Sequence, residues 1–289
     1  VQIALLSNRR LQATYENLGL AQANLVQAGL LRNPVFNAGI LFGPAPADLE
    51  FGLAQNFLSI LYRPLRKSIA QAEFEAAKLK VAGSVLELAG EVQAAFYRTQ
   101  AQEQTVKFLS QVVESTGAAY DAAKRLHDAG NITDLSLANE RAQYEDARLQ
   151  LVQAEAEAAV GRERLNALMG LWGDDTQWRM SQRLPEISPQ DEPDANGSER
   201  RAIETSLDLQ AARKRIEAIA QLLGFTNATA LVPELEFGAV FNRDDGEFKR
   251  GPTLGLQIPI FDQGQGRIAA AQSDLRRAQQ NYAALATEI

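Results

Sequence analysis

The residues of this chain that could do chemistry gather around its only histidine, His127. Three aspartates lie near it along the sequence, at Asp121, Asp128 and Asp134. Imidazole and carboxylate groups are the side chains from which metal centres and acid–base catalysts are built. Such a centre needs further ligands, however, and the sequence has no second histidine and no cysteine. We therefore interpret His127 as a solvated helix residue and predict neither a metal site nor a cofactor.

No catalytic motif accompanies these residues. The sequence contains no serine nucleophile elbow, no zinc-protease helix motif and no phosphate-binding loop. The net charge of -7 disfavours a nucleic-acid partner, because phosphate backbones attract basic surfaces. Met169 and Met180 are too few for a methionine metal relay and are expected to pack against other apolar side chains. The sequence thus predicts a protein that is not an enzyme.

The prolines divide the chain into the elements that must position these residues. Residues 65–184 contain no proline, which interrupts helix interiors, so very long helices are permitted there. Apolar residues in this stretch recur at steps of three and four, as is typical of helices. We predict a long antiparallel coiled-coil hairpin over about 64–168 with its tip at 129–133. Gly130 fits a helix C-cap there, and Thr133 fits an N-cap.

Alternation of apolar with polar or small residues predicts four strands in two hairpins. The first hairpin spans about 34–43 and 49–60, and the second spans about 233–242 and 252–261. In each strand, aromatic and aliphatic residues fall on one face, while glycine, asparagine, glutamine or glutamate fall on the other. About ten residues is also the length that a tilted membrane strand needs.

Both strand hairpins follow a helix, predicted over 3–30 for the first and over 199–224 for the second. Leu11-Gln12-Ala13 recurs 198 residues later as Leu209-Gln210-Ala211. This correspondence indicates an internal duplication of a helix–strand–strand–helix unit. The predicted parts are a first repeat over 1–171, a linker over 172–198 and a truncated second repeat over 199–289.

Four amphipathic strands cannot close a barrel, for which about eight is the usual minimum. Either they form a water-exposed sheet packed on something else, or several chains pool their strands. Three chains would give a barrel of about twelve strands, with the small and polar face towards water and the apolar face towards lipid. Glu234 and Glu236 are candidates for the water-facing side by the same alternation.

Two stretches resemble the TolC-like outer-membrane efflux proteins. Residues 258–264, Ile-Pro-Ile-Phe-Asp-Gln-Gly, are similar to that family's Pro-Ile-Phe-Asp-x-Gly stretch, where the last strand swings into a periplasmic helix. The second stretch is similar to the family's hairpin tip, Gly-x-Ile-Ser/Thr-x-Leu-Asp-x-Leu, and comprises Gly130, Ile132, Thr133, Leu135 and Leu137. Ser136 departs from the aspartate that is frequent in the family.

The resemblance implies a homotrimer in the outer membrane, surrounded by lipid, whose helices form a tunnel into the periplasm. It implies a passive exit channel of a tripartite efflux or type I secretion system, which receives substrate from an inner-membrane pump. Residues 172–198 would form the equatorial region. The residues expected to contact a periplasmic adaptor protein are Gly130, Asn131, Ile132, Thr133 and Leu135. The aspartates Asp121, Asp128 and Asp134 would be placed to ring a cation-selective constriction.

The periodic spacing of apolar residues that is typical of a helix is present from Val1 onwards, and it is still present at Ile289. We therefore expect a piece of a longer protein, with any targeting segment missing, that carries one complete repeat and about half of the second. Two alternatives to a channel stay open at this point. One is a soluble coiled-coil scaffold with two docking hairpins, and the other is a periplasmic adaptor-like protein. The continuous apolar face of the strands favours the channel.

Overall fold

The computed structural model describes residues 1–42, 48–181, 184–185, 197–232, 234–244 and 247–289. Within these ranges the chain is mainly helical, with one four-stranded antiparallel sheet. It divides into two compact units, which are Val1–Thr14 with Ser84–Asp194 and Tyr15–Gly83 with Ala195–Ile289. The helices described here include none with the length and apolarity required to cross a membrane.

Two long helices form the predicted hairpin, α4 (Arg63–Asp128) and α5 (Asp134–Met169). Small residues let these helices approach closely. A Cβ built on Gly117 would lie 3.1 Å from the ring of Tyr144, which stacks on Tyr120 with a centroid distance of 5.9 Å. The hairpin therefore depends on a glycine at this crossing as well as on buried alanines.

Each helix that precedes a strand hairpin is broken, although the sequence predicts it to be continuous. The first pair is α1 (Gln2–Ser7) and α2 (Arg9–Ala28), separated by Asn8. The second pair is α6 (Ser198–Thr205) and α7 (Leu207–Leu231), separated by Ser206. The prediction of one continuous helix over 3–30 and another over 199–224 was therefore wrong.

The physical cause of the break is the same in both copies. Asn8 adopts φ −67° and ψ 113°, and Ser206 adopts φ −57° and ψ 118°. Asn8 Oδ1 accepts a hydrogen bond from the backbone N–H of Leu11 at 2.9 Å, and Ser206 Oγ accepts one from the N–H of Leu209 at 3.2 Å. Leu11 and Leu209 are 3% and 1% exposed. The repeat thus includes a side-chain cap that restarts a helix.

The sheet has the order β1-β2-β3-β4, with every neighbouring pair antiparallel. Its strands are β1 (Val35–Leu41), β2 (Asp48–Asn56), β3 (Leu235–Asp244) and β4 (Glu247–Leu256). The pairing of β2 with β3 joins the two hairpins into one sheet. Strands β1 and β4 are its edges.

Strands β2 and β4 differ most from their predicted bounds. Strand β2 ends at Asn56 and not near residue 60, because Leu58–Leu61 forms a short helix, α3, in which Leu58 is buried. Asn56 Oδ1 begins that turn by accepting a hydrogen bond from the N–H of Ser59 at 2.8 Å. Strand β4 starts at Glu247 and ends at Leu256, five residues before the predicted end. Pro259, which has no N–H to donate, lies beyond it.

Helix α8 (Gln265–Glu288) follows and completes the described chain. It begins after Gly264, whose φ of 75° is left-handed. Some predicted features lie outside the described residues. They are residues 43–47 of the first strand turn, Pro233, and residues 182–183 and 186–196 of the predicted linker.

Candidate functional site: the hairpin tip and the two faces of the sheet

Backbone hydrogen bonds end α4 at the hairpin tip. Gly130 has a left-handed φ of 76°. Its N–H donates to the carbonyl of His127 at 2.8 Å, and the N–H of Asn131 donates to the carbonyl of Leu126 at 2.9 Å. This pair of bonds is a Schellman motif. A Cβ on Gly130 would meet nothing within 4 Å, so the backbone conformation, and not packing, requires glycine there.

Thr133 begins α5 as its N-cap. Its Oγ1 accepts a hydrogen bond from the N–H of Ser136 at 3.2 Å and lies 3.0 Å from the Oγ of the same serine. Ile132 is half-buried, whereas Leu135 is 71% exposed in the first turn of the helix. The tip therefore presents an apolar side chain to solvent on a rigidly capped turn.

His127 bridges the two helices across the tip, and the sequence interpretation of it as a solvated residue missed this role. Its Nε2 lies 2.6 Å from Asp134 Oδ1, and its Nδ1 lies 3.8 Å from Asp128 Oδ1. The hydrogen bond to Asp134 raises the pKa of His127 above its ordinary 6.5, and desolvation opposes this shift. The only sequence signal was the position of a histidine in the last turn of one helix and an aspartate in the first turn of the next.

The positions of His127 in the last turn of α4 and of Asp134 in the first turn of α5 suit the charges of these side chains. A helix C-terminus favours a cation, which the protonated imidazole supplies, and a helix N-terminus favours an anion, which Asp134 supplies. Asp128 and Asp134 are thus brought together around His127, and both carboxylates remain exposed. Among the described residues no group of three or more histidine or acidic side chains could hold a metal ion. A ring of aspartates around a constriction stays a prediction.

The strand register gives the sheet one apolar face. Phe36 lies opposite Leu53, and Phe51 lies opposite Phe241. The rings of Phe36 and Phe51 stack at 6.2 Å. We define the apolar face as Phe36, Ala38, Ile40, Leu49, Phe51, Leu53, Leu235, Phe237, Ala239, Phe241, Phe248, Pro252, Leu254 and Leu256, and the register places Gln55, Arg243 and Arg250 on the same side. Its members include some of the most exposed apolar side chains, such as Phe36 at 65% and Leu254 at 70%.

The opposite, polar face carries small and hydrophilic residues. We define it as Val35, Asn37, Gly39, Asp48, Glu50, Gly52, Ala54, Asn56, Glu236, Gly238, Val240, Asn242, Glu247, Lys249, Gly251, Thr253 and Gly255. Of the two glutamates proposed for water-facing positions, Glu236 lies on this face. Glu234 precedes β3, and its Oε1 accepts a hydrogen bond from Asn56 Nδ2 at 3.2 Å.

A hydrogen-bonded cluster fixes the start of the predicted equatorial region after α5. Trp178 Nε1 donates to Asn166 Oδ1 at 2.6 Å, and the guanidinium of Arg162 lies 4.0 Å from the ring centroid of Trp178. Arg162 also donates to the carbonyl of Trp178 and pairs with Glu103 at 3.0 Å. The sequence did not indicate this cluster, because Glu103 lies 59 residues from Arg162 and the turn after α5 is needed to bring Trp178 back onto the helix.

Comparison with known proteins places this architecture. Residues 65–171 match the model of the outer membrane efflux protein family. The chain is also 25% identical, over 285 residues, to the cobalt-zinc-cadmium resistance protein CzcC of Cupriavidus metallidurans. The alignment covers 96% of this chain and 66% of CzcC, so the chain spans just under two thirds of that relative.

Solved structures agree with this fold. A membrane protein from Pseudomonas aeruginosa has a TM-score of 0.80 at 18% identity, covering 99% of this chain and 72% of the other chain. The outer membrane protein VceC of Vibrio cholerae has a TM-score of 0.78 at 16% identity, covering 99% and 74%. The mainly helical fold with paired strand hairpins and an internal repeat is confirmed. The match of residues 65–171 agrees with the predicted resemblance to outer-membrane efflux proteins.

Proposed function

We propose that this chain is one protomer of a passive outer-membrane exit channel, which conducts substrates from a periplasmic pump complex to the exterior. The observation that carries the proposal is the sheet, whose apolar face is exposed while its opposite face is small and polar. In water such an apolar face costs free energy, and in a barrel wall it lies against lipid. The polar face then lines a water-filled passage.

The channel is proposed to be a homotrimer. The strands β1 and β4 are edges with unpaired backbone groups, and such edges are not tolerated in a bilayer. Pairing β4 of one copy with β1 of the next removes both edges. Three copies would give about twelve strands, which is within the range of outer-membrane barrels. This requirement favours the channel over a soluble coiled-coil scaffold or an adaptor-like protein.

The hairpin tip is proposed to dock a periplasmic adaptor protein that links the channel to an inner-membrane pump. The capped turn holds Gly130, Asn131 and Thr133 in one conformation, so little conformational entropy is lost on binding. Leu135 supplies an exposed apolar contact next to half-buried Ile132. The adaptor would therefore recognise a rigid turn with one projecting leucine.

Cations are the proposed substrate class. CzcC is named for resistance to cobalt, zinc and cadmium. In this chain the carboxylates of Asp128 and Asp134 are exposed beside the tip, and Glu50 and Glu236 lie on the polar face. Carboxylates along a pore raise the local concentration of cations and lower that of anions.

The channel proposal is tested on the full-length protein extracted from outer membranes. We expect light scattering in detergent to give the mass of three chains, and planar bilayers to show conductance that favours cations over anions. A water-soluble monomer that needs no detergent would contradict the channel and support the coiled-coil scaffold.

The adaptor proposal is tested separately with Leu135→Glu, and Leu135→Met is the matched control. The charged variant should lose most efflux in cells and most adaptor binding, while its trimer content in the outer membrane stays native. Full export by the Leu135→Glu variant would show that the tip is not the docking site.

A further inference from the structure

At the end of the sheet that lies farthest from the helices, the apolar face carries charged side chains as well as apolar ones. In the last rows of the β3–β4 hairpin, Arg250 lies opposite Phe241, and Arg243 lies opposite Phe248. Residues at alternate positions of a strand share a face, so both arginines lie on the apolar face, and so does Phe248. Arg243 and Arg250 are diagonal neighbours across the two strands, which places their Cα atoms about 7–8 Å apart.

Both guanidinium groups are available to a ligand. Arg243, Phe248 and Arg250 are exposed, and the guanidinium of Arg243 lies 5.5 Å from the ring centroid of Phe248. In the part of the chain that the structure describes, neither arginine pairs with a carboxylate. This side of the sheet therefore carries two arginines next to an exposed aromatic ring near the strand turn.

The carboxylates in the neighbouring rows lie on the other side of the sheet. Glu50 is opposite Asn242, and Glu247 lies one position from Phe248, so the register assigns both to the polar face. Lys249 is also on the polar face. Among the described side chains on the apolar face, the charged ones at this end are the two arginines.

The location of the arginines follows from the chain path and rests on the proposed function. Strand β1 is entered from α2, and β4 leads towards α8, both at the end of the sheet opposite Arg243 and Arg250. With the helices in the periplasm, the arginines lie at the outer surface. With the apolar face towards lipid, they lie at the depth of the outer-leaflet headgroups.

We propose that Arg243 and Arg250 bind the phosphate groups of a phosphorylated glycolipid in the outer leaflet of the outer membrane. The planar guanidinium group forms paired hydrogen bonds with phosphate oxygens, and two arginines at this spacing can engage one phosphate or bridge two. Phe248 lies opposite Arg243 and two positions before Arg250 on β4, and it contacts the sugar or the first acyl carbons, as aromatic rings do at membrane interfaces. Each protomer carries one such site.

The test uses the full-length trimer in detergent and compares two variants, Arg243→Gln/Arg250→Gln and the control Lys249→Gln on the polar face. Binding of bis-phosphorylated lipid A is measured by native mass spectrometry and by titration. We expect the double variant to bind at least about tenfold more weakly, and the control to bind within about twofold of native. Lipid A without its two phosphates should bind the native protein weakly. Its affinity should match that of intact lipid A for the double variant.

Several results would overturn the proposal. These are native affinity in the double variant, equal binding of the phosphate-free lipid, or complete competition by millimolar inorganic phosphate, which would indicate a site for free anions. Arg243→Lys/Arg250→Lys keeps the charge without the paired geometry, and we expect intermediate affinity. Trimer mass and conductance should be native in every variant. Native protein that shows neither a trimer nor conductance would count against the channel and not against the lipid site.

Discussion

The hydrogen bonds described at the hairpin tip join residues no more than seven positions apart, whereas the sheet depends on pairs such as Leu49 with Arg243. At the tip, both helix ends are capped. The turn between them buries little apolar surface, since Leu135 is 71% exposed and Ile132 only half-buried. The sheet exposes its apolar face and leaves two edges unpaired. The tip can therefore form within a single hairpin, whereas the sheet requires both repeats and a hydrophobic environment.

The largest effect is expected where the two hairpins meet in the sheet. A Cβ on Gly238 would lie 2.8 Å from Thr253 Oγ1 and 3.1 Å from Ala54 Cα. Gly238→Val should therefore break the β2–β3 pairing, at a cost of about 3 kcal/mol or more, and the outer-membrane trimer should be lost. The control is Gly251→Val, since a Cβ there meets nothing within 4 Å. Equal trimer yields for both variants on semi-native gels would contradict the assigned register.

A smaller, local effect is expected at the tip. Gly130→Val places a β-branched residue at a φ of 76°, a strain of about 1–2 kcal/mol that no neighbour relieves. We expect adaptor binding and efflux to fall while trimer yield is unchanged. Gly130→Asn, which tolerates left-handed backbone, should retain most activity. Loss of the trimer in Gly130→Val would mean that the tip and the sheet do not fold independently.

The tip and the sheet should also differ in their response to pH. The groups with a shifted pKa include His127 at the tip and no side chain of the described strands. The folded pKa of His127 is raised, so its contribution to stability is fully present below pH 6.5 and is lost as pH rises through the folded pKa. Amides over 130–136 should thus exchange faster with solvent at pH 8 than at pH 6, after correction for intrinsic rates.

The matched variants for this measurement are Asp134→Asn and Asp128→Asn. Asp134 lies 2.6 Å from the imidazole and Asp128 lies 3.8 Å from it, so the first substitution should remove most of the pH dependence and the second only a little. A native pH response in Asp134→Asn would show that the ion pair does not hold the two helix ends together.

The smallest effects compare the two repeats. Asn8→Ala and Ser206→Ala each remove one helix cap, which typically costs about 1 kcal/mol. Asn8 Nδ2 also donates to the carbonyl of Leu168 at 2.9 Å, so Asn8→Ala should destabilise the protein more than Ser206→Ala. Denaturant unfolding of the detergent-solubilised protein measures both. A reversed order would mean that the bond to Leu168 contributes nothing.

Local patterns account for the features that the sequence predicted. Gly130 and Thr133 marked the tip because capping requires those residue types. The strand alternation set both faces of the sheet, and Leu11 and Leu209 marked the repeat. The stretch over 258–264 resembled a known family, and the match of residues 65–171 to the model of outer membrane efflux proteins agrees with that resemblance.

Features that depend on competition between local interactions were not predicted. The breaks at Asn8 and Ser206 arise from side chains that cap one helix more favourably than they continue another. The end of β2 was misplaced because Asn56 starts a helical turn within an apolar stretch that also suits a strand. The contact of His127 with Asp134 depends on the geometry of the turn, which residue spacing alone does not give.

The two unpaired edges of the sheet have a consequence for how mutations are inherited. If β4 of each copy pairs with β1 of the next, the interface is head-to-tail, and the ring closes only when every member offers both edges. A single subunit with a blocked edge then prevents closure for its two normal neighbours. Edge mutations should consequently be dominant over a normal gene copy, whereas tip mutations leave mixed rings intact and dilute their defect. Coexpression of normal and altered chains would thus reveal which surface a mutation affects.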